Sequence, residues 1–99
     1  MRKTITKTYH KTRVSFSYVE VLTGKTFTQE IYLDNWLHNM SYINTQVNNI
    51  LKKDTGESFK VYSINSVEHV SIRYYISDAN FLKLATIDEQ SIVVIKKLR

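Results

Sequence analysis

The sequence predicts an α+β fold, a single domain spanning residues 1–99, with a mostly antiparallel sheet, one longer helix and one short helix. The predicted order is ββαββαβ. Three observations carry this expectation. Long stretches alternate in side-chain character with a period of two, as strands do. Residues 41–53 switch to a helical period. No proline interrupts either pattern, and neither a linker nor an internal repeat divides the chain. Ninety-nine residues with 42% hydrophobic content suffice for one modest core.

The elements follow in order. Residues 1–13, MRKTITKTYHKTR, read as a strand in which Arg2, Thr4, Thr6, Thr8, His10 and Thr12 share one face. Lys3, Ile5, Lys7, Tyr9, Lys11 and Arg13 share the other, a comb of cations. Threonine favours strands, although the stretch equally suits a flexible arm that orders on contact. Val14 to Leu22 continues the extended pattern. Leu22-Thr23-Gly24-Lys25 is a turn, because Gly24 adopts positive φ at no steric cost. Thr26 to Leu33 returns as the second strand and is expected to bury Phe27, Ile31 and Leu33.

Asp34 to Met40 reads as a helical turn or a plug over the core. Ser41 is the expected N-cap of a helix. Ile43, Val47, Ile50 and Leu51 follow at i, i+4, i+7 and i+8, one apolar stripe. Lys52 and Lys53 suit the helix C-terminus, and Gly56 ends it. Phe59 to Ile64 is a third strand and Val70 to Ile76 a fourth, with a bend between them around Ser63 to Glu68. Ser77 or Asp78 caps a short helix that turns Phe81, Leu82 and Ala85 inward. Ser91 to Leu98 is the last strand, and its run Ile92-Val93-Val94-Ile95 suggests cover on both faces.

Formal net charge is +5, unevenly spread. Arg2, Lys3, Lys7, Lys11 and Arg13 precede any acidic residue, and Lys96, Lys97 and Arg99 crowd the last four positions. The stretch between them holds six Lys or Arg against nine Asp or Glu. A near-neutral body with basic ends points to an anionic partner, and its sign excludes an acidic mimic of DNA. Cations two apart on a strand lie roughly 6–7 Å from one another, close enough to serve neighbouring phosphates. The alternative is a solvated edge strand guarded by lysines.

Much chemistry is excluded. Without cysteine there is neither a disulfide nor a thiolate. Gly24 and Gly56 are the only glycines, so no glycine-rich phosphate loop exists. His10, His38 and His69 are scattered, and no metal or other cofactor is expected. No serine sits in the context a hydrolase needs, and Asp88-Glu89 reads as a solvated pair. An enzyme is not expected. No apolar run approaches a membrane span and no secretory signal is evident, so a cytoplasmic location is expected. Tyr9, Tyr18, Tyr32, Tyr62, Tyr74 and Tyr75 fall on predicted strands, where tyrosine either stacks single-stranded bases or simply packs.

Two segments carry a resemblance. One is Ile5-Thr6-Lys7-Thr8, entering a strand behind Arg2 and Lys3. The other is the run from Ser58 to Ile87, in which Val61-Tyr62-Ser63-Ile64 leads to Tyr74, Tyr75, Ile76, Phe81-Leu82 and Ala85-Thr86-Ile87. Together they resemble the small early histone-like, double-stranded-DNA-binding proteins of Bacillus phages with protein-primed replication, and their relatives in other phages of Gram-positive hosts. The resemblance covers residues 4–33 by pattern and 58–87 by residue. It implies a dimer that binds duplex DNA with little sequence preference, mainly through backbone and minor groove, in multimers that affect replication and early transcription. It also implies a bacterial host cytoplasm. The family's DNA-contacting cations match Arg2 and Lys3, with Lys7 nearby. The chain departs from the family at its end, where a basic strand stands in place of an acidic tail.

The expected function is therefore non-enzymatic binding of double-stranded DNA through Arg2, Lys3, Lys7, Lys11, Arg13, Lys96, Lys97 and Arg99. Two alternatives stand beside it. One is a phage factor that binds a host enzyme or defence protein through Trp36, Leu37 and Met40. The other is a single-strand binder that uses tyrosine stacking.

Overall fold

The computed structural model describes residues 4–77 and 86–99. Four strands form one antiparallel sheet and one helix packs on it, an α+β arrangement. In chain order the elements are β1 (Thr4–Glu20), β2 (Thr26–Asp34), α1 (Met40–Thr55), β3 (Phe59–Ser77) and β4 (Thr86–Lys97). The sheet order is β2-β1-β3-β4, so the two long strands are central and β2 and β4 are the edges.

The β1–β2 hairpin forms where the turn signal stands. Gly24 has φ of 73°, its N–H donates to the Glu20 carbonyl, and Glu20 N–H donates to the Lys25 carbonyl. Of the residues expected to be buried on β2, Leu33 is buried and Ile31 is half-buried, but Phe27 remains 42% exposed. Phe27 lies near the hairpin end, beyond the main reach of α1, and stacks on Tyr18 with ring centroids 5.5 Å apart.

The even-numbered face of β1 supplies the core. Thr12, Val14 and Phe16 are buried there, and Val14 and Phe16 cluster with Ile43, Val47 and Leu51 of α1 and with Leu33, Ile64 and Val67 from the neighbouring strands. The spacing i, i+4, i+8 puts the three helix residues on one stripe, and that stripe is what the sheet covers. The N-cap is Asn39 rather than Ser41: the Asn39 side chain accepts from Tyr42 N–H at 3.1 Å. Asn at this position satisfies an orphan N–H and starts the helix two residues earlier than expected. Gly56, with φ of 65°, closes the helix by donating its N–H to the Lys52 carbonyl.

The expected third and fourth strands are one strand. β3 runs unbroken from Phe59 to Ser77, and the expected bend is instead a pair of register shifts against β1. Ser15 pairs with Ser66 and Phe16 with Ile64, which leaves Asn65 as an extra residue; Ser17 pairs with Ser63 and Tyr18 with Val61, which leaves Tyr62 extra. Each bulge inserts one residue and breaks the alternation of apolar positions without ending the strand. Asn65 secures its bulge by donating to Ser17 Oγ at 2.9 Å and accepting from Ser63 Oγ at 2.8 Å. Among the described residues the order is thus ββαββ. The expected short helix with Phe81, Leu82 and Ala85 lies outside the described residues, as do Arg2 and Lys3.

The expectation that Ile92-Val93-Val94-Ile95 is covered on both faces is overturned. β4 is an edge strand, and these four residues are 38%, 55%, 45% and 52% exposed. Hydrophobic runs mark doubly covered strands only where helices pack on both faces, and α1 lies on one face toward the other end of the sheet.

The molecule is elongated. Seventeen residues of β1 at about 3.3 Å each span roughly 56 Å, and the long axis measures 58 Å. The radius of gyration is 17.3 Å, against about 13 Å for a compact chain of this length. One half of the sheet carries α1. The other half, formed by the leading part of β1, the trailing part of β3 and β4, projects as a three-stranded ribbon.

Residues 35–39 strap that junction. Thr12 Oγ1, fully buried, donates to the Asn35 carbonyl at 2.7 Å and accepts from Leu37 N–H at 2.8 Å. Asn35 takes φ of 65°, a left-handed conformation that Asn tolerates better than most residues. Replacing Thr12 by Val keeps the shape and removes both bonds. We expect a loss of about 2 kcal/mol, because two backbone groups are left without partners; urea denaturation measures it.

Candidate nucleic-acid interface

The strand alternation expected of residues 4–13 holds. The odd-numbered side chains of β1 lie on the face opposite α1, and cross-strand pairing extends that face in rows. Lys7 stands opposite Tyr74, Tyr9 opposite Ile72, Lys11 between Asp34 and Val70, and Arg13 between Tyr32 and Glu68. Lys97 lies opposite Glu68 on β4, so the row of Arg13 ends in a further cation. Lys7, Lys11 and Arg13 thereby line up along β1 on one face of the sheet, with Lys97 two strands away in the row of Arg13.

The stripe is not uniformly available. Lys7 is exposed. Lys11 is half-buried, its ammonium is bound to the Asp34 carboxylate, and it lies 5.9 Å from the centre of the Tyr9 ring. Arg13 is held more firmly. Its Nε donates to Glu68 Oε1 at 3.0 Å and its Nη2 lies 2.8 Å from the same oxygen. Both side chains of this pair are about four-fifths buried, with 21% and 19% exposure. The bond to Glu68, then one to Tyr32, raises the Arg13 pKa above its ordinary value, with desolvation opposing. Lys96, Lys97 and Arg99 are exposed. Lys96 stands opposite His69 and so lies on the α1 face, away from Lys97. Of the eight expected cations, the fold thus leaves Lys7, Lys96, Lys97 and Arg99 open, ties Lys11 and Arg13 to carboxylates, and does not describe Arg2 and Lys3.

Aromatic residues share the same face. Tyr9 and Tyr74 meet edge to face with centroids 5.6 Å apart. Val70 and Ile72 are buried beside them, outside the core beneath α1. The tyrosines do not gather into one platform: Tyr18 joins Phe16, Phe27 and Phe59 at the hairpin end, and Tyr32 bonds Glu30. Thr8, Tyr9, His10, Lys11, Asp34 and Asn35 line an open depression where β2 ends beside β1.

Trp36, Leu37 and Met40, singled out as an exposed anchor for a host protein, are engaged within the fold. Trp36 stacks on His10 at 4.3 Å and on His69 at 5.7 Å, and its Nε1 donates to the Val70 carbonyl at 2.9 Å. Leu37 and Met40 pack against the core, and His69 Nε2 lies 2.6 Å from the Leu37 carbonyl oxygen. Sequence reasoning missed Asp34 and Glu68 as partners of the cations. They lie 23 and 55 residues from Lys11 and Arg13, and only strand register brings them together.

No family model, curated protein or solved structure matches this chain. Among the described residues no helix is long and apolar enough to cross a membrane.

Proposed function

We propose that this chain is a non-enzymatic protein that binds double-stranded DNA with little sequence preference, through the cation stripe of β1 and the basic end of β4. The observation that carries the reading is the charge distribution: +5 overall, with cations at both ends of a slightly acidic body. Lys7 and Lys97 share one face of a ribbon, with Lys11 and Arg13 between them. Six residues of β1 separate the Lys7 row from the Arg13 row, roughly 20 Å of strand, a span that covers several phosphates. Such contacts position a protein without reading sequence, and their affinity comes from released counterions. The resemblance to the phage histone-like proteins adds Arg2 and Lys3 as contacts, Arg suiting a minor groove. It also adds multimers on DNA and an effect on replication and early transcription.

The test is duplex affinity measured by anisotropy across a salt series. Each phosphate neutralised contributes about 0.9 to the slope of log K against log salt. Lys7→Ala should flatten the slope by about that amount and weaken binding to unrelated sequences alike. Asp34→Asn frees Lys11 and should do the reverse, with tighter binding and a steeper slope. Unchanged slopes in both variants would show that the stripe does not meet DNA. Stronger binding to single strands than to duplex at one salt concentration would favour the stacking alternative.

A further inference from the structure

The cation stripe occupies one face of the ribbon, and the other face has a chemistry of its own. Thr6, Thr8 and His10 are exposed there, on the side of the sheet that carries α1 farther along. Cross-strand pairing widens this face into rows. Arg73 stands between Thr8 and Ser91, Ser71 between His10 and Val93, and His69 between Thr12 and Lys96. Arg73 and Lys96 are exposed. Their rows lie four β3 residues apart, roughly 13 Å, with His10 and Ser71 on the row between. Trp36 fixes the His10 ring by stacking on it at 4.3 Å.

The two faces differ in kind. On the stripe side Asp34 and Glu68 hold Lys11 and Arg13, and the apolar residues Ile72, Ile92 and Val94 stand beside them. On the α1 side hydroxyls largely replace the apolar residues. Among the described side chains of the ribbon, no carboxylate stands on that side. Hydroxyls and cations are the groups that contact phosphate and sugar without reading sequence. A spacing of about 13 Å is two steps between neighbouring phosphates on the measure of one step per two strand residues.

We infer that this face is a second duplex-binding surface, so that one copy of the chain holds two DNA segments, one on each side of the ribbon. Arg73 and Lys96 make the charged phosphate contacts, with Thr8, Ser71 and His10 donating between them. The inference rests on the duplex-binding reading of the stripe and adds a second segment to it. The ribbon is one sheet thick, roughly 10 Å. The Debye length at physiological ionic strength is about 8 Å. Repulsion between duplexes on opposite faces is therefore largely screened, and the cations of both faces lie between them.

A capture assay with the full chain tests it. One duplex is fixed to beads, and a fluorescent duplex of unrelated sequence is offered together with the protein. Retention of the fluorescent duplex should rise with protein and fall again in excess, where each duplex is coated by its own copies. Arg73→Glu should lower retention by about tenfold and keep the anisotropy affinity for a single duplex, because the stripe on the other face still binds. Thr8→Lys should raise retention and steepen its salt dependence by about 0.9, the contribution of one more phosphate. Both positions are exposed, so both variants should fold, as circular dichroism checks. Duplex binding without retention, retention that survives Arg73→Glu, or retention unmoved by Thr8→Lys would each overturn the inference. Absence of any single-duplex binding by anisotropy would instead overturn the stripe reading, and this inference with it, so the two failures are told apart by that measurement.

Discussion

Replacing Phe16 by Ala is expected to lower stability by about 3–5 kcal/mol, the cost of truncating a buried aromatic side chain. Phe16 is among the largest fully enclosed side chains and is 2% exposed, on the β1 face that receives the α1 stripe. It sits beside the first β3 bulge, opposite Ile64, so its ring fills space at the point where the two central strands change register. Removing it leaves a cavity between sheet and helix that a bulged, strap-bound region cannot easily close. A domain of this size has total stability of only about 5–15 kcal/mol, and its melting temperature should fall by about 15–30 °C. Phe16→Leu retains most of the volume and should cost about 1 kcal/mol. The single tryptophan, Trp36, reports unfolding by its fluorescence. A loss below 1 kcal/mol in Phe16→Ala would mean that α1 does not pack on this face as described.

The second large effect is expected at Trp36 itself. Trp36→Ala removes the stack on His10 and His69 and the bond to the Val70 carbonyl. Because the side chain is only half-buried, we expect a loss of about 3 kcal/mol, at the low end for a large aromatic. Trp36→Phe keeps an aromatic surface and loses the hydrogen bond, and should cost about 1 kcal/mol. Denaturation followed by circular dichroism ranks the two. Equal, negligible losses would return Trp36 to the role of an external anchor, because a side chain that holds nothing inside is free to bind outside.

The readings that survived contact with the structure rest on local periodicity. The alternation of residues 4–20, the Gly24 turn and the stripe Ile43, Val47, Ile50 and Leu51 each depend on neighbours a few residues apart, and the structure has all three, with Ile50 only partly buried at the edge of the stripe. The readings that failed each needed something distant. Phe59, Val61, Ile64 and Val67 follow at intervals of two, three and three, which looks like a strand ending; only pairing with β1 reveals two bulges within one strand. Ile92 to Ile95 looks like a strand covered on both faces, and only the sheet order makes it an edge. The comb of cations was legible as a pattern. That Asp34 and Glu68 hold two of its members was not, because a charge in isolation carries no sign of its partner across a sheet.

By itself, the sequence determined the strand and helix periods, the turn, the capping glycine and the concentration of positive charge at the two ends. Those follow from steric preference and from bonds between near neighbours. The tertiary structure alone decided which cations stay open to solvent and which edge is left apolar, because both depend on the register of strands far apart in the chain.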